Sequence, residues 1–369
     1  MFSELPTPCV LIDMNRLDQN LNVMEQRIQK LGSSLRPHVK THKVVELARR
    51  QVRDFAGGIT VSTLAEAEHF AQCGFKDITW ALPLPQSQLK RALKLSKSIQ
   101  LNLLIDHPVT LTFLEEELKS CNQSAFVFLK VDCGYGRAGV LPDSNQALLL
   151  AQKMHKSPHI EFSGLLTHAG HSYDCRSKDE LKGISKQERN SVLRLASRLR
   201  QANIPVPCIS IGSTPTMSVV QNLDGIDEVR PGNYVFFDRA QVNIGACQLE
   251  NIAMSVLSTV IGVYPERKEI LIDAGGIALS KDEGPGLSKN KYGLVVDVIS
   301  QKPLYQCDLH ALSQEHGKIK YTSEKPPFNI GDRIRILPNH SCMTAAAHHI
   351  FFLVRNNSLE GQWTPMKGW

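Results

Sequence analysis

The chain has 369 residues, of which 42% are apolar and 21% are charged. These are the values of an ordinary globular protein, and they exclude a disordered, collagen-like or coiled-coil chain. The 42 Lys and Arg against 36 Asp and Glu give a formal net charge of +6, without any run of five basic residues. We therefore expect no nucleic-acid partner.

The N-terminal segment and the cysteines predict a cellular location. Residues 1–8 have neither the basic end nor the apolar core of a secretory signal, and no apolar stretch approaches the roughly 18 residues that span a membrane. The nine cysteines are odd in number and form no CxxC pair. We therefore expect reduced thiols, a cytoplasmic location and no membrane partner.

Short β-rich runs alternate with amphipathic helices up to about residue 234. The run 9–13 precedes a helix that Asp13 or Asn15 can cap and Gly32 ends, with apolar residues at the 3.6-residue period. Eight further runs are predicted strands: 35–39, 58–62, 77–82, 100–105, 125–131, 161–167, 208–213 and 228–234. Eight β-then-α units predict a parallel (β/α)8 TIM-like barrel, with an open doubly wound sheet as the alternative.

After Tyr234 the pattern changes to strands separated by Gly, Pro and Asp turns. The predicted strands are 256–264, 269–273, 293–299 and 333–337. These form a second, C-terminal β domain. The predicted division is therefore 14–238 for the barrel, with 1–13 and 239–369 for the β domain.

Lys40 lies at the predicted end of the first barrel strand. Alternation places Arg36, His38 and Lys40 on one face, and the apolar opposite face is expected to meet the helices. The carboxyl ends of the strands form the catalytic face of such barrels, where a partly desolvated lysine can act as a nucleophile. A solvated lysine at a surface strand end is the alternative.

Two turns at the seventh and eighth predicted strands suit a phosphate group. The segment 211–216 and the segment 230–234 offer backbone N–H groups beside glycines, hydroxyls and an amide. The loops after strands seven and eight form the usual phosphate site of (β/α)8 enzymes. Taken singly, each segment is also compatible with an ordinary Gly/Pro turn.

The loops after strands five and six carry further polar side chains. The loop 131–139 places Arg137 among three glycines, but its spacing does not match a dinucleotide-binding motif. The loop 167–173 carries His168, His171 and Tyr173, which can stack on a cofactor or move protons. Histidines with a purely structural role would give the same pattern.

His340 and Cys342 form an HxC pair in the predicted β domain. In an extended chain, residues i and i+2 face the same way, so this pair can bind one soft metal such as zinc. Two protein ligands leave the metal open to substrate. The segment 313–317, which contains Glu315 and His316, is a candidate for supporting the ligands.

Together these motifs resemble the D-threonine aldolase / D-serine dehydratase family of pyridoxal-phosphate enzymes. The resemblance is carried by RPHVKTHK (36–43), VDCGYGRAG (131–139), GSTPT (212–216), RPGNY (230–234) and PNHSC (338–342), and it covers nearly the whole chain. It implies an alanine-racemase-type barrel followed by a β domain. It also implies a homodimer.

The resemblance assigns roles to particular residues. Lys40 would hold pyridoxal phosphate as a Schiff base and be catalytic, and Arg137 would face the pyridine nitrogen. His171 is the second predicted catalytic residue, with His168 and His316 as the alternatives for moving protons. The cofactor site would comprise Lys40, Arg137, His168, Tyr173, Gly212, Ser213, Thr214, Gly232, Asn233 and Tyr234. His340 and Cys342 would bind zinc, or manganese in its place.

The predicted activity is that of a lyase on a small D-3-hydroxy amino acid. D-serine or D-3-hydroxyaspartate would be dehydrated to a 2-oxo acid and ammonia. The aldolases tend to carry aspartate where Cys342 stands, which favours dehydration over cleavage to glycine and an aldehyde. An amino-acid racemase and a non-enzymatic pyridoxal-phosphate carrier are further alternatives, although neither needs the metal pair.

Overall fold

The computed structural model describes residues 2–53, 57–283 and 290–368. The chain divides into two compact units. The barrel unit is Met24–Gly232, and the β unit comprises the chain up to Val23 together with Asn233–Lys367. The boundaries predicted from the sequence are residues 14 and 238. The two compact units of the structure instead divide after Val23 and after Gly232.

The barrel unit contains alternating parallel strands and helices. Its strands within the described residues are β2 (Ser34–Leu35), β3 (Ile59–Val61), β4 (Asp77–Pro83), β5 (Gln100–Ile105), β6 (Ala125–Val131), β7 (Ile160–Thr167), β8 (Cys208–Ile211) and β9 (Glu228–Val229). Its helices are α2 (Val45–Gln51), α3 (Leu64–Gln72), α4 (Leu89–Leu95), α5 (Pro108–Cys121), α6 (Asn145–Lys156), α7 (Lys178–Gln201) and α8 (Thr214–Val219). The helix α1 (Met14–Lys30) precedes them and begins in the β unit.

All eight of these strands are paired in parallel, in the order β2-β9-β8-β7-β6-β5-β4-β3. A parallel bridge between His38 and Thr60 brings the segment after β2 beside β3, which closes the order into a barrel. The predicted barrel is therefore confirmed, and the open sheet is excluded. Because the strands run parallel, the loops that follow them all lie at one end of the barrel.

A buried ion-pair network occupies the barrel interior near the start of the strands. The Arg36 guanidinium donates two hydrogen bonds to the Asp77 carboxylate, of 2.8 and 2.7 Å, and one of 2.6 Å to Glu228. Of the three residues that the alternation placed on one face, Arg36 is thus paired with carboxylates at the starts of β4 and β9. Replacement of a single member would leave a buried charge without its partner.

The β unit contains mostly antiparallel strands. They are β1 (Cys9–Asp13), β10 (Met254–Tyr264), β11 (Glu269–Ile272), β12 (Leu294–Val296), β13 (Cys307–Leu312), β14 (Gly317–Tyr321), β15 (Arg333–Leu337), β16 (Phe351–Arg355) and β17 (Ser358–Trp363). Short helices accompany them: α9 (Arg239–Asn243), α10 (Gly276–Leu279) and α11 (Ser341–Ala347). Sequence periodicity predicted β10, β11, β12 and β15 and missed β13, β14, β16 and β17.

The strand order in the β unit places the N-terminal strand inside the sheet, between β10 and β16. The order is β13-β14-β11-β10-β1-β16-β17, and β15 pairs with both β10 and β12. Asp13, at the end of β1, accepts hydrogen bonds from the N–H groups of Asn15 and Arg16, so it is Asp13 that caps α1. In the part of the chain that the structure describes, no helix is long and apolar enough to cross a membrane.

Candidate active site

Lys40 lies on a short 3-10 turn rather than on a strand. The strand β2 ends at Leu35, and the turn Val39–Thr41 begins after His38, whose ring accepts a hydrogen bond from the Lys40 N–H. Lys40 itself is exposed. The expectation of a partly desolvated lysine at this position is therefore wrong for the isolated chain. Its location at the loop end of the barrel agrees with the sequence analysis.

The loop after β6 is organised by one carboxylate. Asp132 accepts hydrogen bonds from the N–H groups of Gly134, Tyr135 and Gly136, at 2.9–3.1 Å. This arrangement presents Tyr135, and the Arg137 guanidinium lies 5.0 Å from the centre of the tyrosine ring. Arg137 is exposed, so the loop offers a cation at the mouth of the barrel.

The loop after β7 contains the two predicted histidines and Tyr173. His171 stacks on Tyr135 with ring centroids 6.0 Å apart, and its ring nitrogens have no hydrogen-bond partner within the described residues. Desolvation lowers the pKa of His171, which favours the neutral ring. His168 contacts the carbonyl of Gly212 through Nδ1 at 3.3 Å, and Tyr173 is half-buried in the turn Gly170–Asp174.

The segment Gly212–Thr214 forms a tight turn into α8. Gly212 has a φ of +110°, which only glycine adopts readily, and its N–H donates to Glu188 at 3.1 Å. The Ser213 N–H donates to Thr216. The backbone N–H groups of Gly212 and Ser213 are thus used in hydrogen bonds that stabilise the turn.

The Thr214 hydroxyl accepts a hydrogen bond of 3.2 Å from the Gly232 N–H, which joins the two loops predicted to bind phosphate. Gly232 packs closely against the segment that follows β2, because a Cβ atom there would lie 2.6 Å from the carbonyl oxygen of His38. The two predicted turns therefore meet at a hydroxyl and a glycine, where backbone can approach a ligand closely.

Glu188, which the sequence motifs did not mark as a site residue, holds these loops together. Its buried carboxylate accepts hydrogen bonds from the N–H groups of Ala169 (2.9 Å) and Gly212 and from the Thr216 hydroxyl (2.9 Å). Burial raises its pKa, although these hydrogen bonds oppose the shift. A signal did exist, because Glu188 falls on the apolar stripe of α7 formed by Leu181, Val192 and Leu195.

His168 lies within the electrostatic reach of several cations of the barrel unit. Burial and the charges of Lys40, Lys130, Arg137 and Arg230 hold the pKa of His168 well below its usual range. Arg230, only 4% exposed, donates to the Ser210 hydroxyl and to the carbonyl of Thr167. A glycine-lined turn beside several cations fits a phosphorylated, anionic cofactor.

Lys130 is the desolvated lysine of the barrel. It lies on β6, is 5% exposed, and burial together with the Arg230 charge lowers its pKa to about 7. In the sequence, Lys130 lies within the apolar run 125–131. Burial of a charged lysine beside an arginine lowers the free energy of unfolding.

We expect Lys130→Met to stabilise the protein without added cofactor by about 2 kcal/mol at pH 6–7. The folded-state pKa of about 7 lies below the unfolded value. Between pH 7 and 10 the unfolded state therefore binds more protons, and the stability of the parent chain rises with pH. The gain from Lys130→Met should shrink over that window in urea titrations, whereas exposed Lys153→Met should change stability little at any pH. A gain independent of pH would contradict the prediction.

In the β unit, His340 and Cys342 lie together at the start of α11. The His340 ring is hydrogen-bonded to the Cys342 side chain, and its Nδ1 lies 2.6 Å from Oδ2 of Asp282. Burial opposes a charge on His340, but the Cys342 thiol and Asp238 raise its pKa to about 10. Surroundings that stabilise a proton on the imidazole of His340 beside the sulfur of Cys342 also suit a soft divalent cation bound by the same two side chains.

Asp282, which the sequence analysis did not single out, contacts His340 in the manner of a supporting carboxylate. A carboxylate on one ring nitrogen orients the other toward a metal. In the described ranges no group of three or more His, Cys, Asp or Glu side chains is arranged as a metal site. The His340–Cys342 pair is therefore a two-ligand candidate.

Asn233 and Tyr234 belong to the β unit and are both buried. The Asn233 side-chain amide donates to Asp238 and to the Ser341 hydroxyl, both at 2.8 Å. The side chain of this predicted cofactor residue is thus engaged with the segment that carries the metal pair. Tyr234 lies in the turn Asn233–Val235.

Comparison with known proteins defines the class to which this fold and site belong. The family model for the alanine racemase N-terminal domain matches residues 12–240, and a serine dehydratase domain matches residues 253–354. The chain therefore belongs to the alanine-racemase-type family of pyridoxal-phosphate enzymes, within its D-serine dehydratase branch.

The similar proteins are enzymes of the lyase class. A D-serine dehydratase from Dictyostelium discoideum is 35% identical, covering 100% of this chain and 98% of the relative. A D-threo-3-hydroxyaspartate dehydratase from Delftia sp. strain HT23 is 36% identical over 99% and 98% of the two chains. A D-threonine aldolase from Arthrobacter is 26% identical over 98% and 92%.

The structure of the Delftia dehydratase superposes with a TM-score of 0.94 and 35% identity, covering 99% of this chain and 98% of that one. A D-threo-3-hydroxyaspartate dehydratase with a cysteine-to-alanine substitution, described as the metal-free form, gives a TM-score of 0.93 at 35% identity, with the same 99% and 98% coverage. The predicted family, fold and lyase class are confirmed.

Proposed function

We propose that this protein is a pyridoxal-phosphate- and metal-dependent dehydratase of D-serine or D-3-hydroxyaspartate. The observation that carries the proposal is the His340–Cys342 pair, supported by Asp282, in a chain whose most similar named relatives above are dehydratases. The products would be a 2-oxo acid and ammonia. The enzyme would act as a cytoplasmic homodimer, and the described cysteines, all of them free thiols, agree with a reducing compartment.

The barrel unit would hold pyridoxal phosphate. Lys40 would bind it covalently, and the turn at Thr214 and Gly232, with the following Asn233, would bind its phosphate. The other predicted contacts are Arg137, His168, Tyr173, Gly212, Ser213 and Tyr234. When bound, the cofactor supplies an electron sink for the negative charge that develops at the substrate Cα atom.

His340 and Cys342 would hold the metal, for which zinc suits one imidazole and one thiolate and manganese is the second candidate. A divalent metal supplies Lewis-acid assistance to the departure of the β-hydroxyl. A cysteine-to-alanine mutant of a D-threo-3-hydroxyaspartate dehydratase is described in a metal-free form, which agrees with a cysteine ligand.

The chain's own groups would move the protons. The Lys40 amine would remove the proton from Cα, because it is exposed at the loop end of the barrel and can reach a bound substrate. His171, whose pKa is lowered by desolvation, is neutral near pH 7 and can accept or donate a proton. Arg137, exposed above Tyr135, is placed to attract an anionic substrate.

Product analysis tests the proposal. The purified protein, supplied with zinc and pyridoxal phosphate, is given D-serine, D-threo-3-hydroxyaspartate and D-threonine in parallel. We expect ammonia and a 2-oxo acid, loss of this activity after treatment with a chelator, and recovery on adding zinc.

The matched control is Cys342→Ala, which should not recover with zinc. Glycine and an aldehyde from D-threonine as the main products would move the protein to the aldolases. Racemisation that persists in the chelated protein would instead identify an amino-acid racemase. Either result would overturn the dehydratase assignment.

A further inference from the structure

We propose that Asp238 is a positioning residue that holds the metal-binding segment in place and couples it to the cofactor-binding turn. This inference rests on the proposed function, because it assumes that His340 and Cys342 bind a metal. It concerns a residue that carries no ligand itself. Its effect would be to make metal affinity and cofactor affinity depend on each other.

Asp238 is a buried carboxylate with a full set of donors. It is 1% exposed and caps α9 by accepting the Gln241 N–H at Oδ1, at 3.0 Å. Its Oδ2 atom accepts the Ser341 N–H at 3.0 Å, the Ser341 hydroxyl at 3.2 Å and the Asn233 amide at 2.8 Å. One carboxylate thus joins three separate points of the chain.

Ser341 stands between the two metal-binding candidates. It is the first residue of α11, and His340, the capping position before it, makes no side-chain capping bond. Asp238 supplies the missing acceptor from a distant part of the sequence. With the Ser341 N–H and hydroxyl both bound to Asp238, the backbone that carries His340 and Cys342 is held in place.

Asn233 belongs to the same hydrogen-bond network and is itself a predicted cofactor residue. Its amide donates to Asp238, to the Ser341 hydroxyl and, at 3.7 Å, to the Cys342 sulfur. Asn233 directly follows Gly232, whose N–H lies in the turn proposed for the phosphate. A metal that orders Cys342 therefore also orders Asn233, and the reverse follows from reciprocity of binding free energies.

The test replaces Asp238 by asparagine, which keeps the shape of the side chain but removes the charge and one acceptor. Metal affinity is measured by titrating the protein with Co²⁺ and following the cobalt–thiolate absorption, then by zinc competition. We expect a 10–100-fold loss of metal affinity, the range for residues that orient metal ligands.

Cofactor affinity is measured in the presence and absence of zinc. In the parent protein zinc should tighten pyridoxal-phosphate binding. In Asp238→Asn the ratio of the two affinities should fall to about one. This ratio would not change if Asp238 only supported folding.

Asp273→Asn is the matched control in the same unit. Asp273 also accepts a backbone N–H, from Thr259 at 2.8 Å, and the hydroxyls of Ser258 and Thr7 at 2.8 and 2.5 Å. It should cost stability and leave metal affinity unchanged. Ser341→Ala, a milder change, should weaken metal binding several-fold and covers the case in which Asp238→Asn fails to fold.

Equal metal affinity in the parent protein, Ser341→Ala and folded Asp238→Asn would overturn the inference. A zinc effect on cofactor affinity that survives in Asp238→Asn would overturn the coupling. If the parent protein binds no metal at all, the proposed function fails first. Failure of the Asp238 inference can be told apart from failure of the proposed function, because metal affinity is measured without turnover.

Discussion

Replacing Lys40 by alanine should lower dehydratase activity by about 1,000-fold or more, because the side chain would serve both as the covalent anchor and as the base at Cα. The cofactor should still bind through its phosphate, but more weakly. Borohydride reduction followed by peptide mass spectrometry should find a pyridoxal adduct on Lys40 in the parent protein and none in the variant.

Two controls separate the role of the amine from that of its charge. Lys40→Arg keeps the positive charge and should be as inactive as Lys40→Ala. Lys130, whose pKa of about 7 gives it a large neutral fraction at pH 7, is the competing nucleophile. An adduct on Lys130, with none on Lys40, would refute the assignment of the cofactor lysine.

Replacing Glu188 by alanine should destabilise the folded protein by about 3 kcal/mol or more. The change leaves the buried N–H groups of Ala169 and Gly212 and the Thr216 hydroxyl without their acceptor. The turn at Gly212 should loosen, so affinity for pyridoxal phosphate should fall as well. Urea unfolding and a cofactor titration measure the two effects.

Glu188→Gln should give an intermediate loss, because it keeps one acceptor oxygen at the same place. Glu161→Ala, on an exposed position of β7, should stay within about 0.5 kcal/mol of the parent protein. Unchanged cofactor affinity in folded Glu188→Ala would show that the turn does not depend on this carboxylate.

Hydrophobic periodicity predicted the fold well where one face of a strand or helix is buried, or where the whole element is buried. The eight barrel strands were predicted, and Asp13 was one of two candidate caps for α1, because these features depend on residues close in sequence. The strand containing Lys40 was predicted too long, since the chain turns at Val39 after Pro37 and His38. Glu188 was not predicted as a site residue, because the polar first half of α7 masks the apolar stripe on which it lies.

The sequence by itself determined the family, the barrel and the HxC pair, because short motifs and hydrophobic periods are local properties. Only the tertiary structure decided which polar residues support the site. Glu188, Asp238 and Asp282 reach their partners across 19 to 103 positions of the chain. The tertiary structure also showed that Lys130 is buried while Lys40 is exposed, because solvent exposure depends on how distant segments pack.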